Sequence, residues 1–375
     1  MSRDYRLDVF RGVALWFIFI DHLPDNVLQW VTIRNFGFAD ATEIFIFISG
    51  YSAALAYGGT MRRSGFVLAA AGIYRRCWQI YVAHIVLFVL YTAHVAYVAL
   101  RFNNPMFAEE LNVTSFLEEP HVALLQALIL KFRPLNLDVL PLYIVLLAGF
   151  PPVLWLLQRW PWPVLLVSTV LYVAADQLHW NLATYPGDGV WFFNPFCWQL
   201  LFVLGALCAS YPGQLARLRA ARVPLTLLAI AYLAFALFIV ATWRWQQLGQ
   251  LLPDWLSRLI YPIDKTNMDL MRLLHFLALG YLTMLLVPRG ARWLEAPWLR
   301  PVLWCGQQSL QIFCLSTFLS LVGNFMLLEI GDRIPAQLAI GLGGLAVMAG
   351  AAWVMLWYKA AQKTSAAKKL VATAS

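Results

Sequence analysis

Charge is scarce in this sequence. Asp, Glu, Lys and Arg make up 12% of its 375 residues, against 61% hydrophobic and 15% aromatic residues. Soluble domains carry roughly 25% charged and ~45–50% apolar residues. A soluble enzyme of this composition could not cover its surface with polar groups, and disorder is excluded for the same reason. Cysteine is scarce too. Cys77, Cys197, Cys208, Cys305 and Cys314 each sit in an apolar run with no C-x-x-C or Cys/His spacing. That pattern excludes a disulfide scaffold and offers no zinc site, so they read as small buried hydrophobes and no metal is expected. No short-period repeat and no charged linker to a second soluble domain is present. Asp8, Arg11, Asp21 and His22 break the first apolar run and no small-residue cleavage site follows it, so no cleavable leader is expected.

Long apolar runs are what the chain has instead. They cover residues 6–23, 43–58, 76–100, 139–157, 162–178, 196–210, 223–242, 268–287, 302–322 and 334–357, and a spanning helix needs ~20 mostly apolar residues. The expected fold is therefore all-α: a polytopic integral membrane helical bundle of about ten transmembrane helices. A single membrane-embedded domain takes up residues 1–358, and a Lys/Ala-rich cytoplasmic tail without fixed structure takes up 359–375. The run 121–132 is too short to cross and reads as a helix at the interface or packed on the bundle.

The basic residues test this count. With the N-terminus inside and ten alternating helices, the inner segments hold seventeen Lys and Arg, among them Arg3, Arg62, Arg63, Arg75, Arg76, Arg217, Arg219 and Arg289. The outer segments hold eight, and Arg11 and Arg272 lie within helices. This asymmetry is the positive-inside pattern. It places both termini in the cytoplasm and assigns the net charge of +8 to the membrane surface rather than to nucleic acid.

Ionisable residues at membrane depth are costly and usually functional, which draws attention to the first helix. Arg11 and His22 are eleven residues apart, about 20° out of register after three turns and roughly 16 Å apart along the axis. Both point the same way, with Asp8 and Asp21 beside them, and Gly12 lets another backbone approach. A guanidinium at one end and a titratable imidazole near the other suit an anion-binding mouth and a base able to take a hydroxyl proton. The third run carries Arg75, Arg76, Gln79, Tyr81, His84, Tyr91, His94 and Tyr97, a polar load that predicts a cavity-lining face. Asp138 and Tyr143 flank Pro141 at a helix entrance. Asp269 and Arg272, three apart, read as a local pair. Ser49-Gly50 reads as a close-packing site. Trp191 and Trp243 to Trp245 read as an interfacial belt, with stacking on sugars as the other option.

Arg11-x10-His22 resembles the signature of acyltransferase-3-type integral membrane enzymes, and Glu43 to Tyr51 is similar to their second-helix F-x-x-S-G-[YF] pattern. The fuller set more closely resembles the OpgC family: Leu7-Asp8-Val-Phe-Arg11-Gly12, Asp21-His22, Ala39-Asp40-Ala-Thr-Glu43, Phe45-x-Phe47-x-Ser49-Gly50, Asp138-Val-Leu-Pro141-Leu-Tyr143 and Ser309-Leu310-Gln311-Ile-Phe313. The resemblance implies an acyl-CoA-dependent O-acyltransferase. It would move an acyl group, succinyl in that family, from cytoplasmic acyl-CoA to hydroxyls of a periplasmic glucan.

No tightly bound cofactor is implied; the donor, succinyl-CoA or acetyl-CoA, is a substrate. Arg11, Arg75 and Arg76 would hold the CoA phosphates. His22 would take the hydroxyl proton, oriented by Asp21, Asp40 or Glu43, and Asp40, Asp138 and Tyr143 are the candidates for holding the acceptor. Partners implied are membrane lipids and glucan-synthesis proteins. Two alternatives stay open. One is a multi-spanning transporter or flippase, against which no second Arg-x10-His is found. The other is an acetyltransferase of another surface polysaccharide.

Overall fold

A computed structural model describes residues 4–213, 221–288 and 290–374. Arg3, Arg217, Arg219 and Arg289, used in the charge asymmetry, lie outside the described residues. Among those described the secondary structure is helical, with isolated bridges only at Phe132–Tyr185 and Ala183–Val190.

Each of the ten expected runs is helical, with differences that have physical causes. The second and third form one long helix, Ala41–Arg101, in which Gly65 has non-helical backbone (φ +85°, ψ 177°). That conformation is open essentially to glycine alone, so one residue makes the bend where a loop was expected. Arg75 and Arg76 accordingly sit ten and eleven residues inside the second limb rather than at its start. The 139–157 run is two helices, Val139–Ala148 and Phe150–Leu157, bent by 54° at Gly149 ahead of Pro151 and Pro152. The 302–322 run is Arg300–Gln307 followed by Ser309–Ile330. The short run contains the nine-residue helix Pro120–Leu128, whose last carbonyl accepts from the Tyr81 hydroxyl at 2.8 Å. The final helix continues through Lys359 to Ala374, where a tail without fixed structure was expected. Ala and Lys, the commonest residues of that stretch, are strong helix formers.

Among the described residues, four helices are long and apolar enough to cross a membrane: Ala41–Arg101, Arg222–Arg244, Ser309–Ile330 and the Ile334–Ser365 part of the last helix. The bent 139–157 pair makes a fifth if it crosses as one. Pro195–Ser210 and Leu270–Leu286 are apolar but shorter. The first helix, Tyr5–Asp21, has 17 residues including Arg6, Asp8, Arg11 and Asp21.

The chain divides into two compact units, Met1–Thr32 with Val287–Ser375, and Ile33–Leu286. In the first, two glycines set the packing. A Cβ on Gly12 would strike the Val302 carbonyl, and one on Gly306 would strike the Asp8 carbonyl. The first helix and Arg300–Gln307 therefore touch backbone to backbone, as small residues allow. Val9, Leu294, Val302 and Leu303 close the core beside that contact, and Trp16 donates its indole N–H to Cys305 Sγ at 3.4 Å. The second unit repeats the device. Gly50 abuts the Phe202 carbonyl and Gly205 the Phe47 carbonyl, so the Ser49-Gly50 step serves close packing, as read from sequence. Phe202, beside it, is buried edge-on to buried Phe150.

Candidate functional site

Arg11, Asp21 and His22 belong to the first unit. The first helix is unbroken and His22 follows it as C-cap with helical backbone, its N–H donating to Ile18 O at 3.2 Å. The expected register therefore holds. Arg11 and His22 are each half-buried, and the His22 Nδ1 atom is buried. Between them on the same stripe lie Leu15 and Ile18, 0% and 4% exposed, so the side chains separating the two polar groups are enclosed and apolar. Asp21 accepts from the Thr32 hydroxyl at 2.8 Å, which ties the helix end to the segment that follows it.

Asp40, Glu43, Arg75, Arg76, Asp138 and Tyr143 belong to the second unit. Asp40 is the N-cap of the long helix. Its Oδ1 accepts from Thr42 N–H at 2.8 Å while Glu43 Oε2 accepts from Asp40 N–H at 2.9 Å. This reciprocal pair satisfies two otherwise orphaned donors, and it explains why the sequence starts a helix here. The remaining oxygens point at cations. Arg272 meets Glu43 Oε1 through Nε at 2.8 Å and Nη2 at 2.6 Å, and Asp40 Oδ2 through Nη2 at 3.2 Å; Lys265 Nζ meets Asp40 Oδ2 at 2.6 Å. Glu43 is fully buried, a position tolerable for a carboxylate only with such a partner. Burial alone would raise the Asp40 carboxyl, but Lys265 and Arg272 outweigh it and hold Asp40 well below the usual carboxylate range. His275 completes the cluster: its Nδ1 accepts from Ala39 N–H at 3.3 Å and its ring fills the space a side chain at Gly37 would need.

This corrects the local reading of Asp269 and Arg272. Asp269 instead caps its own helix by accepting from Met271 N–H at 2.7 Å, and Arg272 reaches back 229 residues to Glu43. Lys265 was not foreseen at all. The usable signal was thermodynamic: an arginine inside an apolar helix demands a carboxylate, and Glu43 is an acid at the first turn of another helix.

Asp138 does not cap its helix; it pairs with Arg133 at 2.9 Å. Burial raises the Asp138 carboxyl, with Arg133 pulling the other way. The Arg133 guanidinium lies 4.1 Å from the Trp191 ring centroid. Trp191 is 4% exposed, so it is removed from the expected belt, whereas Trp243 and Trp245 are exposed. Tyr143 lies edge-on to Phe45, ring centroids 6.3 Å apart, and at the same separation from Phe202. Arg75 is exposed, and Arg76 is half-buried and donates to Gln79 at 3.2 Å. Of the expected residues, then, the structure joins Asp40 to Glu43 and aligns Arg11 with His22.

A helical membrane protein with charged clusters enclosed among apolar helices is the class these features define. The chain belongs to the OpgC protein family, whose model matches residues 3–360, and membership implies a transferase. No curated protein and no solved structure shows a significant match.

Proposed function

We propose that this protein is a multi-pass inner-membrane O-acyltransferase that moves a succinyl group from cytoplasmic acyl-CoA to hydroxyls of a periplasmic glucan. The observation that carries the reading is the family match across nearly the whole chain. In this reading residues 1–358 are one membrane-embedded domain, with about ten crossings and both termini in the cytoplasm. Arg11 holds the CoA phosphates as a charge-assisted contact. His22 removes the proton as the sugar oxygen attacks the thioester carbonyl; the C–S bond breaks and the thiolate leaves and is protonated. Asp21, bonded to Thr32, steadies the helix end that carries His22. The Glu43 carboxylate, committed to Arg272, acts by fixing the start of the long helix.

The test supplies membranes with labelled succinyl-CoA or acetyl-CoA and with unacylated glucan from a strain lacking the protein. Wild type transfers succinyl to glucan. His22→Ala lowers the rate by about 10²–10⁴-fold, the usual contribution of a positioned base, and Arg11→Ala raises the donor KM. Transfer retained in both variants overturns these roles. Glucan crossing the membrane without acylation would favour a transporter.

A further inference from the structure

Two stretches without regular helix, residues 178–194 and 261–269, are wired together in the second unit. Asn194 is the junction. Its backbone N–H donates to Thr266 O at 3.0 Å, and its amide donates to Trp180 O at 2.7 Å and Asn267 Oδ1 at 2.8 Å. The Trp198 indole N–H reaches the carbonyls of Lys265 and Thr266 at 3.2 and 3.1 Å. Asp264 folds the second stretch on itself, accepting from Thr266 and Asn267 N–H at 2.7 and 3.1 Å. Irregular backbone of this kind does not face lipid tails; it is buried in protein, meets water or lines a wet cavity. Held this tightly, the platform loses little freedom when something binds.

The platform presents an aromatic ring beside a donor, and an acceptor follows four residues after that donor on the same stretch. Phe192 is 48% exposed and edge-on to Phe193, ring centroids 4.8 Å apart. Its neighbour Trp191 is covered by Arg133. Lys265 Nζ lies 6.0 Å from the Phe192 centroid and 5.5 Å from that of Phe193. Its side chain is 30% exposed, and its contact with Asp40 uses one of the ammonium's three donors. On the same turn, half-buried Asp269 has one oxygen engaged by Met271 N–H.

The charge balance selects the ligand class. The three cations here, Lys265, Arg272 and Arg133, are engaged by Asp40, Glu43 and Asp138, and residues 261–269 add Asp264 and Asp269, more carboxylates than cations, so an added anion is opposed. An apolar ligand would strand the ammonium and the carboxylate without water. A neutral polyhydroxylated ring satisfies both: its hydroxyls accept from Lys265 and donate to Asp269, and its C–H face lies on the open ring. We propose that Phe192, Lys265 and Asp269 form the docking surface for the glucan acceptor, with Phe192 stacked on a glucose ring. The proposal rests on the glycan-acceptor reading above.

The test uses the full chain in detergent with unacylated glucan from a strain lacking the protein. Glucan binding is followed by intrinsic fluorescence or thermophoresis, and the KM values for glucan and acyl-CoA are measured separately. Phe192→Ala weakens glucan binding and raises its KM about tenfold, the equivalent of about 1.4 kcal/mol, with the acyl-CoA KM unchanged; Phe192→Tyr restores both. Asp269→Asn, which keeps the cap acceptor, gives a smaller rise in the same direction. Wild-type glucan affinity in Phe192→Ala, or an equal change in both KM values, overturns the docking surface. Glucan binding lost in Phe192→Ala, from a wild type that transfers no acyl group, would uphold the surface and remove the transferase reading.

Discussion

The first helix and the start of the long helix both place charge among apolar side chains, and they manage it differently. The first keeps Arg11 and His22 on one stripe of a single helix, separated by enclosed Leu15 and Ile18. The second gathers Asp40, Glu43, Lys265 and Arg272 from distant parts of the chain into mutual contact. The first arrangement leaves its groups spaced along the helix axis. The second spends its groups on one another and on the N-terminus of a helix, so its main product is rigidity.

Substituting Arg272 should break that distinction most forcefully. Arg272→Met strands buried Glu43 and should cost about 3–5 kcal/mol, the usual effect of removing one partner of a buried pair. The double variant Arg272→Met with Glu43→Gln should recover part of the loss. Thermal unfolding in detergent measures both, and equal losses in the single and double variants would show no coupling. Arg11→Met should raise the donor KM, as Arg11→Ala does, whereas Arg272→Met should act on stability; a wild-type donor KM in Arg11→Met would erase the contrast.

Packing offers an intermediate test, because both units rely on glycine contacts. Gly306→Val drives a side chain into the Asp8 carbonyl and Gly205→Val into that of Phe47. Each should cost about 1–3 kcal/mol, as overpacking does. Gly306→Val should also reduce transfer more, since it displaces the helix bearing Arg11 and His22. The reverse ranking of activities would detach the first helix from the chemistry.

The smallest effect is a pH dependence. Asp40 is held below its unfolded value of ~3.9, so its contribution to stability is complete above about pH 4 and is lost as the pH falls below that. Lys265→Met removes one of its two cations and lets its carboxyl rise. The gap between wild type and variant, about 1 kcal/mol for a pair that is part-exposed, should be constant across pH 5–7 and close only as the pH falls through the depressed folded-state range of Asp40, because the unfolded value is common to both. A gap that already closes between pH 7 and pH 5 would exclude Asp40 as the responsible partner.

The sequence made local matters legible. Apolar runs located the helices, the eleven-residue interval aligned Arg11 with His22, and Gly12 announced a close approach. What it hid was pairing at a distance. Arg272 has an acidic residue three positions before it, which satisfies the i,i+3 rule, but buried Glu43 on another helix has the greater need of a cation. Asp138 stands at a helix entrance and reads as a contact for the acceptor, yet Arg133 claims its carboxylate. Trp191 looked like a belt residue because belts are rich in tryptophan, and only the fold shows a guanidinium laid across it. Periodicity reports which face a side chain shares with its neighbours along one helix, and says nothing about which helix stands opposite.

The bend at Gly65 gives the chain a natural reporter position. Its tip stands in open space, Ser64 beside it is exposed, and the native thiols are buried or half-buried. A cysteine introduced at Ser64 would react with a bulky, bilayer-impermeant maleimide from one compartment only. Labelling spheroplasts and inverted vesicles in parallel would then read the orientation of the long helix directly, and with it the side of the membrane on which Arg62 and Arg63 stand guard.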